Sequence, residues 1–189
     1  MTDYIMLGML YHRPLTGYDI KKEFELGIAN FYKMSYGSLY PALKRLTHKA
    51  YLIMEEKPDG HRMKKYYEIT ETGKAVFLEW LLLPLEGHDL LIKIYFFDLL
   101  DELQQEKQFV VYEKSLTERL DTLLTMEKLF TESSHVVDLN YFELSTLYYG
   151  IAHIRNGLTW LHHIKEKKPL IDLIKQAGNF ELKTFKTKE

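Results

Sequence analysis

The 189-residue chain has no cysteine, which excludes a disulfide scaffold, a cysteine nucleophile and a thiolate metal site and suits a reducing compartment. It has only 5 prolines and 10 glycines, a composition that excludes collagen-like and low-complexity chains. Long apolar runs are missing as well. The longest stretch without a charged residue, Leu144 to Ile154, is about half of the roughly 20 residues a membrane-spanning helix needs. The amino terminus carries Asp3 where a secretion signal has a basic flank, and no small-residue cleavage pattern follows. The expectation is a cytoplasmic chain with no membrane segment. Strong charge of either sign is also lacking: 25 Lys and Arg stand against 27 Asp and Glu, a formal charge of −2. Bulk charge therefore points to no partner.

What is present is enough apolar material, 46% hydrophobic and 14% aromatic, for well-formed cores. Charge and texture divide the chain. Residues 1–83 hold 12 basic and 10 acidic groups and are broken by Pro, Gly and charged turns. Residues 84–189 hold 13 basic and 17 acidic groups in long stretches with few breakers. This reads as two domains, 1–84 and 85–189, joined near Pro84 to His88.

In the first domain, Tyr4 to His12 predicts a buried helix ended by Pro14. Thr16 and Asp19 fit a capping box opening a helix to about Leu26. A third helix fits Ser38 to Lys49, where Leu39, Leu43 and Leu46 make one apolar stripe and Pro41 is placed in the first turn. The period then changes. Leu52 to Glu56 and Met63 to Thr70 read as strands around the turn residues Lys57 to Arg62. Thr70 caps a further helix to about Leu83. In the second domain, Gln105 to Thr131 and Asn140 to Lys167 carry apolar residues at spacings of three and four. Each helix is roughly 40 Å long at ~1.5 Å per residue, and a second subunit is the expected partner for the apolar faces.

Three helices, a basic hairpin and a following helix are the order of a winged helix-turn-helix, whose third helix enters the DNA major groove. The predicted class is mainly α with a small β-hairpin: a winged helix-turn-helix domain plus a C-terminal long-helix dimerisation domain. The third helix carries Lys44, Arg45, His48 and Lys49 and no acid, with Ser38 and Tyr40 near its start. The hairpin adds His61, Arg62, Lys64 and Lys65. A basic helix face alone is usually just solvated, and Tyr40 has a packing alternative. Helix and hairpin together are far more specific.

The residues that follow one another as Pro14-Leu15-Thr16-Gly17-Tyr18-Asp19-Ile20, Gly37-Ser38-Leu39-Tyr40-Pro41-Ala42-Leu43-Lys44-Arg45-Leu46 and Lys65-Tyr66-Tyr67-Glu68-Ile69-Thr70-Glu71-Thr72-Gly73-Lys74 resemble the DNA-binding domain of PadR-type transcriptional regulators. The resemblance covers residues 4–83. More loosely, Leu91 to Phe97, Tyr149 to Ala152 and Thr159 to Leu161 resemble the C-terminal region of longer members, including virulence-activator relatives. The resemblance implies a homodimer joined through antiparallel helices, and an aromatic or apolar effector, for which Tyr148, Tyr149, His153, Arg155 and Trp160 are the candidate residues. Against that ligand role stands the commoner use of helix aromatics as core or interface. One departure is Ala50, where the family usually has glycine after the recognition helix. A left-handed residue there would be strained by roughly 1 kcal/mol.

No catalytic motif is found: no nucleophile elbow, phosphate-binding loop, dinucleotide fingerprint or His-Glu-x-x-His helix. His162 and His163 point to different sides of a helix and cannot chelate together. No enzyme activity, metal or cofactor is expected. The expectation is a homodimeric regulator, a repressor, on an inverted-repeat operator with half-sites about one helical turn apart or a multiple of it. The competing class is a winged-helix docking module without a DNA role.

Overall fold

The structure, a computed structural model, describes residues 1–60, 62–132 and 140–176. It divides into two compact units, the first Met1–Gln108 and the second beginning at Phe109.

The first unit opens with α1 (Thr2–Met9), β1 (Leu15–Thr16) and α2 (Gly17–Leu26). α1 stops before the expected His12, because the chain must turn to lay Leu15 and Thr16 beside a later strand. At the start of α2 the capping box is complete. The Asp19 N–H donates to Thr16 Oγ1 at 3.2 Å, and the Thr16 hydroxyl donates to Asp19 Oδ2 at 2.6 Å. That hydroxyl, followed by the Thr16 N–H and the charges of Lys64 and Arg13, holds the Asp19 carboxyl below its ordinary range against the effect of burial.

α3 (Tyr36–His48) buries Leu39, Ala42, Leu43 and Leu46, a stripe in which each large side chain contributes about 1.5–3 kcal/mol. The helix starts two residues before the predicted Ser38, so Pro41 falls in its second turn and removes one internal hydrogen-bond donor. Its end is a Schellman turn: the Tyr51 N–H reaches the Leu46 carbonyl and the Ala50 N–H that of Thr47, both at 3.0 Å. Ala50 has φ +57°, the left-handed conformation that makes alanine costly.

β2 (Leu52–Asp59) and β3 (Arg62–Ile69) form an antiparallel hairpin, and the sheet order is β1-β3-β2. The last pair, Asp59 with Arg62, leaves a two-residue connection whose Gly60 has φ +60°. Pro58 lies inside β2, which tolerates it as an edge strand. α4 (Glu71–Leu81) follows, capped by Thr70, and α5 (Leu90–Tyr95) comes next.

Residues 85–108 belong by packing to this first unit. Leu85, Ile92, Phe96, Phe97 and Leu100 are buried, and Phe96 meets Phe77 edge-on at 5.4 Å. The packing boundary thus lies beyond the composition break at 84/85. Lys93, only 2% exposed, donates to the Leu83 and Pro84 carbonyls at 2.8 and 3.1 Å. Its ammonium also lies 5.3 Å from the Trp80 ring centre. Burial pushes its pKa down, opposed by Asp89 and Glu86.

α6 (Glu102–Glu132) runs on into the second unit, which also holds α7 (Tyr141–Lys165) and α8 (Ile171–Gln176). α7 starts with a capping box between Asn140 and Glu143. Within this unit α6 and α7 pair antiparallel. Tyr148 hydrogen-bonds Glu127, a Cβ on Gly150 would meet Leu123, and His162 Nε2 lies 2.9 Å from Glu113 Oε1. One face of each long helix is therefore covered inside the chain, by Phe109 and Leu116 on α6 and by Leu147, Ile151, Ile154 and Leu161 on α7. The expectation that a second subunit covers these faces is corrected to that extent, because side chains spaced three and four apart on both helices meet each other first. Among the described residues, no helix is long and apolar enough to cross a membrane.

Candidate nucleic-acid interface

With Leu39, Leu43 and Leu46 turned inward, helical geometry turns Tyr40, Lys44 and His48 outward, one turn apart. Lys44 makes no ion pair among the described residues and is open to an anion. Arg45 is not: its Nε donates to Asp3 Oδ2 at 3.1 Å and a second guanidinium nitrogen bonds Oδ1, tying α3 to α1. Ser38 spends its hydroxyl hydrogen on the Ser35 carbonyl at 2.6 Å, which leaves it an acceptor rather than a free donor. No acid lies between Ser38 and Lys49.

The hairpin is less basic than its tip suggests. From Leu52 to Ile69 there are four basic and four acidic side chains, and the three lysines are ion-paired within the hairpin. Lys65 sits opposite Glu56 at 3.8 Å, Lys57 meets Glu55 at 2.9 Å, and Lys64 is bonded to Asp59. The hydrogen bonds raise the Lys57 and Lys64 pKa values. Arg62 is exposed and unpaired among the described residues. His61 lies outside the described residues.

Tyr40, Lys64 and Lys65 are brought together. They line an open cleft of about 530 Å³, completed by the start of α2 and by β3. Tyr18 and Met63, which the sequence reading did not select, form its rim and are 70% and 60% exposed. Their signal was faint: Tyr18 stands two residues after the capping threonine, and Met63 is the one residue between Arg62 and Lys64 and is apolar.

The five candidate effector residues fall on two sides of α7. Tyr149 and His153 stack at 5.9 Å with 14° between their planes, and Trp160 follows on the same face by helical spacing. Tyr148 and Arg155, seven residues apart, share a face about 100° away. Among the described residues, no group of three or more His, Asp or Glu side chains is placed to hold a metal ion.

An outward basic helix beside a two-stranded wing defines a winged-helix protein of the nucleic-acid-reading type. Residues 6–79 match the transcriptional regulator PadR-like family and residues 88–167 the virulence activator alpha C-terminal domain. The chain belongs to the PadR-like family of transcriptional regulators, in the form that carries this second domain. The negative transcriptional regulator PadR of Bacillus subtilis (strain 168) is 30% identical over 112 residues, which cover 56% of this chain. The match spans 62% of the length of that curated relative. Among solved structures, Bacillus subtilis PadR in complex with operator DNA aligns with a TM-score of 0.42 at 23% identity, covering 87% of this chain and 97% of that one. The PadR-like regulator BC1756 from Bacillus cereus aligns with a TM-score of 0.41 at 25% identity, covering 93% and 99%.

Proposed function

We propose that this chain is a sequence-specific DNA-binding repressor of the cytoplasm that grips an inverted-repeat operator as a homodimer. The observation that carries the reading is the acid-free outer face of α3, Tyr40–Lys44–His48, set beside the wing across a cleft that Tyr40 shares with Lys64 and Lys65. Residues 1–84 make the DNA contacts in this reading, and residues 85–189 join the two copies. A negative regulator among its relatives supports the sign of the effect.

Dimerisation is supported by what the α6–α7 pair leaves uncovered. Phe142 and Tyr149 are 78% and 72% exposed on α7, and Val110, Val111, Met126 and Leu129 are exposed on α6. So much apolar surface on paired helices calls for a second copy. We also propose that a small aromatic effector stacks on the Tyr149–His153 pair and releases the DNA.

Selection of duplexes from random DNA tests the reading: an inverted repeat is retained, and the chain sediments as a dimer at micromolar concentration. The neutral wing favours one rival, a winged helix that docks protein instead of DNA. Failure to enrich any duplex would decide for that rival.

A further inference from the structure

Gly17, the first residue of α2, is buried, and the ring of Tyr40 lies where its side chain would stand. A Cβ at Gly17 would come within 2.8 Å of Tyr40 Cε1, 3.1 Å of its hydroxyl oxygen and 3.2 Å of Cζ. Real Cβ atoms do not approach that closely, so any larger residue moves the ring. Tyr40 is nonetheless 61% exposed. It is a surface side chain whose position is set by the absence of another, and core packing does not hold it.

We propose that Gly17 is a positioning residue, which lets Tyr40 rest against the first turn of α2 so that Tyr40, Tyr18, Met63 and Lys65 together seat the sugar-phosphate backbone of one DNA strand. This rests on the DNA-binding reading above and assigns the cleft its occupant. Charge complementarity argues for a phosphodiester. Lys64 and Lys65 stand in the wall, and the one acid there, Asp19, is already engaged by the Thr16 hydroxyl and N–H. Lys65 is held only loosely, 3.8 Å from Glu56. Continuity argues for DNA in particular, since Tyr40 also begins the outward line Tyr40–Lys44–His48 of α3. The exposed faces of Tyr18 and Met63 give a sugar ring apolar surface to cover, and phenol hydroxyls are ordinary phosphate partners. The nearness of Tyr40 also adds to burial in raising the Tyr67 pKa, as expected when two phenols share one cleft.

The experiment is a double-mutant cycle on the full chain, read by affinity for the duplex that the wild type selects from random DNA. Gly17→Ala is expected to weaken operator binding about tenfold, close to the loss from Tyr40→Ala. The double variant is expected to bind no worse than Tyr40→Ala alone. Thermal melting controls for folding, and here the signs differ usefully. Alanine is the better helix former, so in the Tyr40→Ala background Gly17→Ala should raise the melting temperature while leaving affinity unchanged. Wild-type affinity in Gly17→Ala, or losses that multiply in the double variant, would overturn the positioning role while leaving DNA binding in place. A wild type that selects no duplex overturns both.

Discussion

The Thr70 hydroxyl donates to the carbonyl of Ala50 at 2.8 Å and accepts the N–H of Gly73 at 3.0 Å. One oxygen thereby ties the exit of α3 to the start of α4. The Thr70 N–H adds a bond to Tyr51 O at 3.0 Å, and a Cβ on Gly73 would fall 2.3 Å from that same oxygen. The chain is clamped where α3 ends, and Ala50 is held left-handed with φ +57° by its surroundings.

Ala50→Gly should therefore stabilise the protein by about 1 kcal/mol, read as an upward shift in the denaturant midpoint with an unchanged slope. Operator affinity should stay as it is, because Ala50 lies beyond the outward face of α3. A lower midpoint would mean that the left-handed turn carries no strain.

In the DNA complex proposed above, the wing lysines would exchange one anion for another. Removing a competing acid, by Glu56→Gln or Asp59→Asn, should raise affinity for all duplexes severalfold. Lys64→Ala with Lys65→Ala should lower it and reduce the salt slope by up to about 2 units. A salt slope unmoved by the double alanine variant would take the wing off the contact surface.

In the second unit, Glu113 accepts a hydrogen bond from His162 and has Lys165 at 3.6 Å. The His162 bond, then these positive charges, hold its pKa below the ordinary glutamate value against some burial. The stability that follows is fully present above the unfolded-state pKa and is lost as the pH falls through the depressed folded one. The pair is partly exposed, so the gain is under about 1 kcal/mol. Glu113→Gln should cost that much at pH 7 and nothing once the carboxyl is protonated, so melting curves of variant and wild type converge only as the pH falls below the ordinary glutamate pKa of about 4.3 and through the lower folded-state one. Parallel curves would contradict this.

Lys93 is a buried cation whose acceptors are backbone carbonyls. Lys93→Met keeps the stem but removes the donors from Leu83 O and Pro84 O, and should cost about 1–3 kcal/mol. Lys93→Ala adds the loss of packing and should cost more. Equal stability of Lys93→Met and wild type would show that the methylene stem, rather than the ammonium, matters there.

The elements that depend on neighbouring residues were legible in the sequence. The Thr16–Asp19 box, the Leu39–Leu43–Leu46 stripe and the hairpin are all local, and the third helix and wing followed from them. The Ala50 strain was legible too, because a single residue type in one turn decides it. What escaped depends on distant partners. β1 is two residues long and exists only because Leu15 and Thr16 meet Tyr67 and Tyr66. Arg45 looked free because Asp3 is 42 residues away along the chain. Lys64 and Lys65 looked like bare charge until the strand register set Glu56 and Asp59 beside them. The long helices were anticipated within a few residues, but not that they cover each other.

The balanced wing bears on how a DNA reader of this build would spend its time. Sequence-blind contact must draw each of its paired lysines away from a carboxylate, so a random stretch of duplex gains little from the wing and releases the protein quickly. Residence grows long only where α3 also fits the bases. Dwell time, more than encounter rate, would then separate the operator from the vast excess of competing genomic sites.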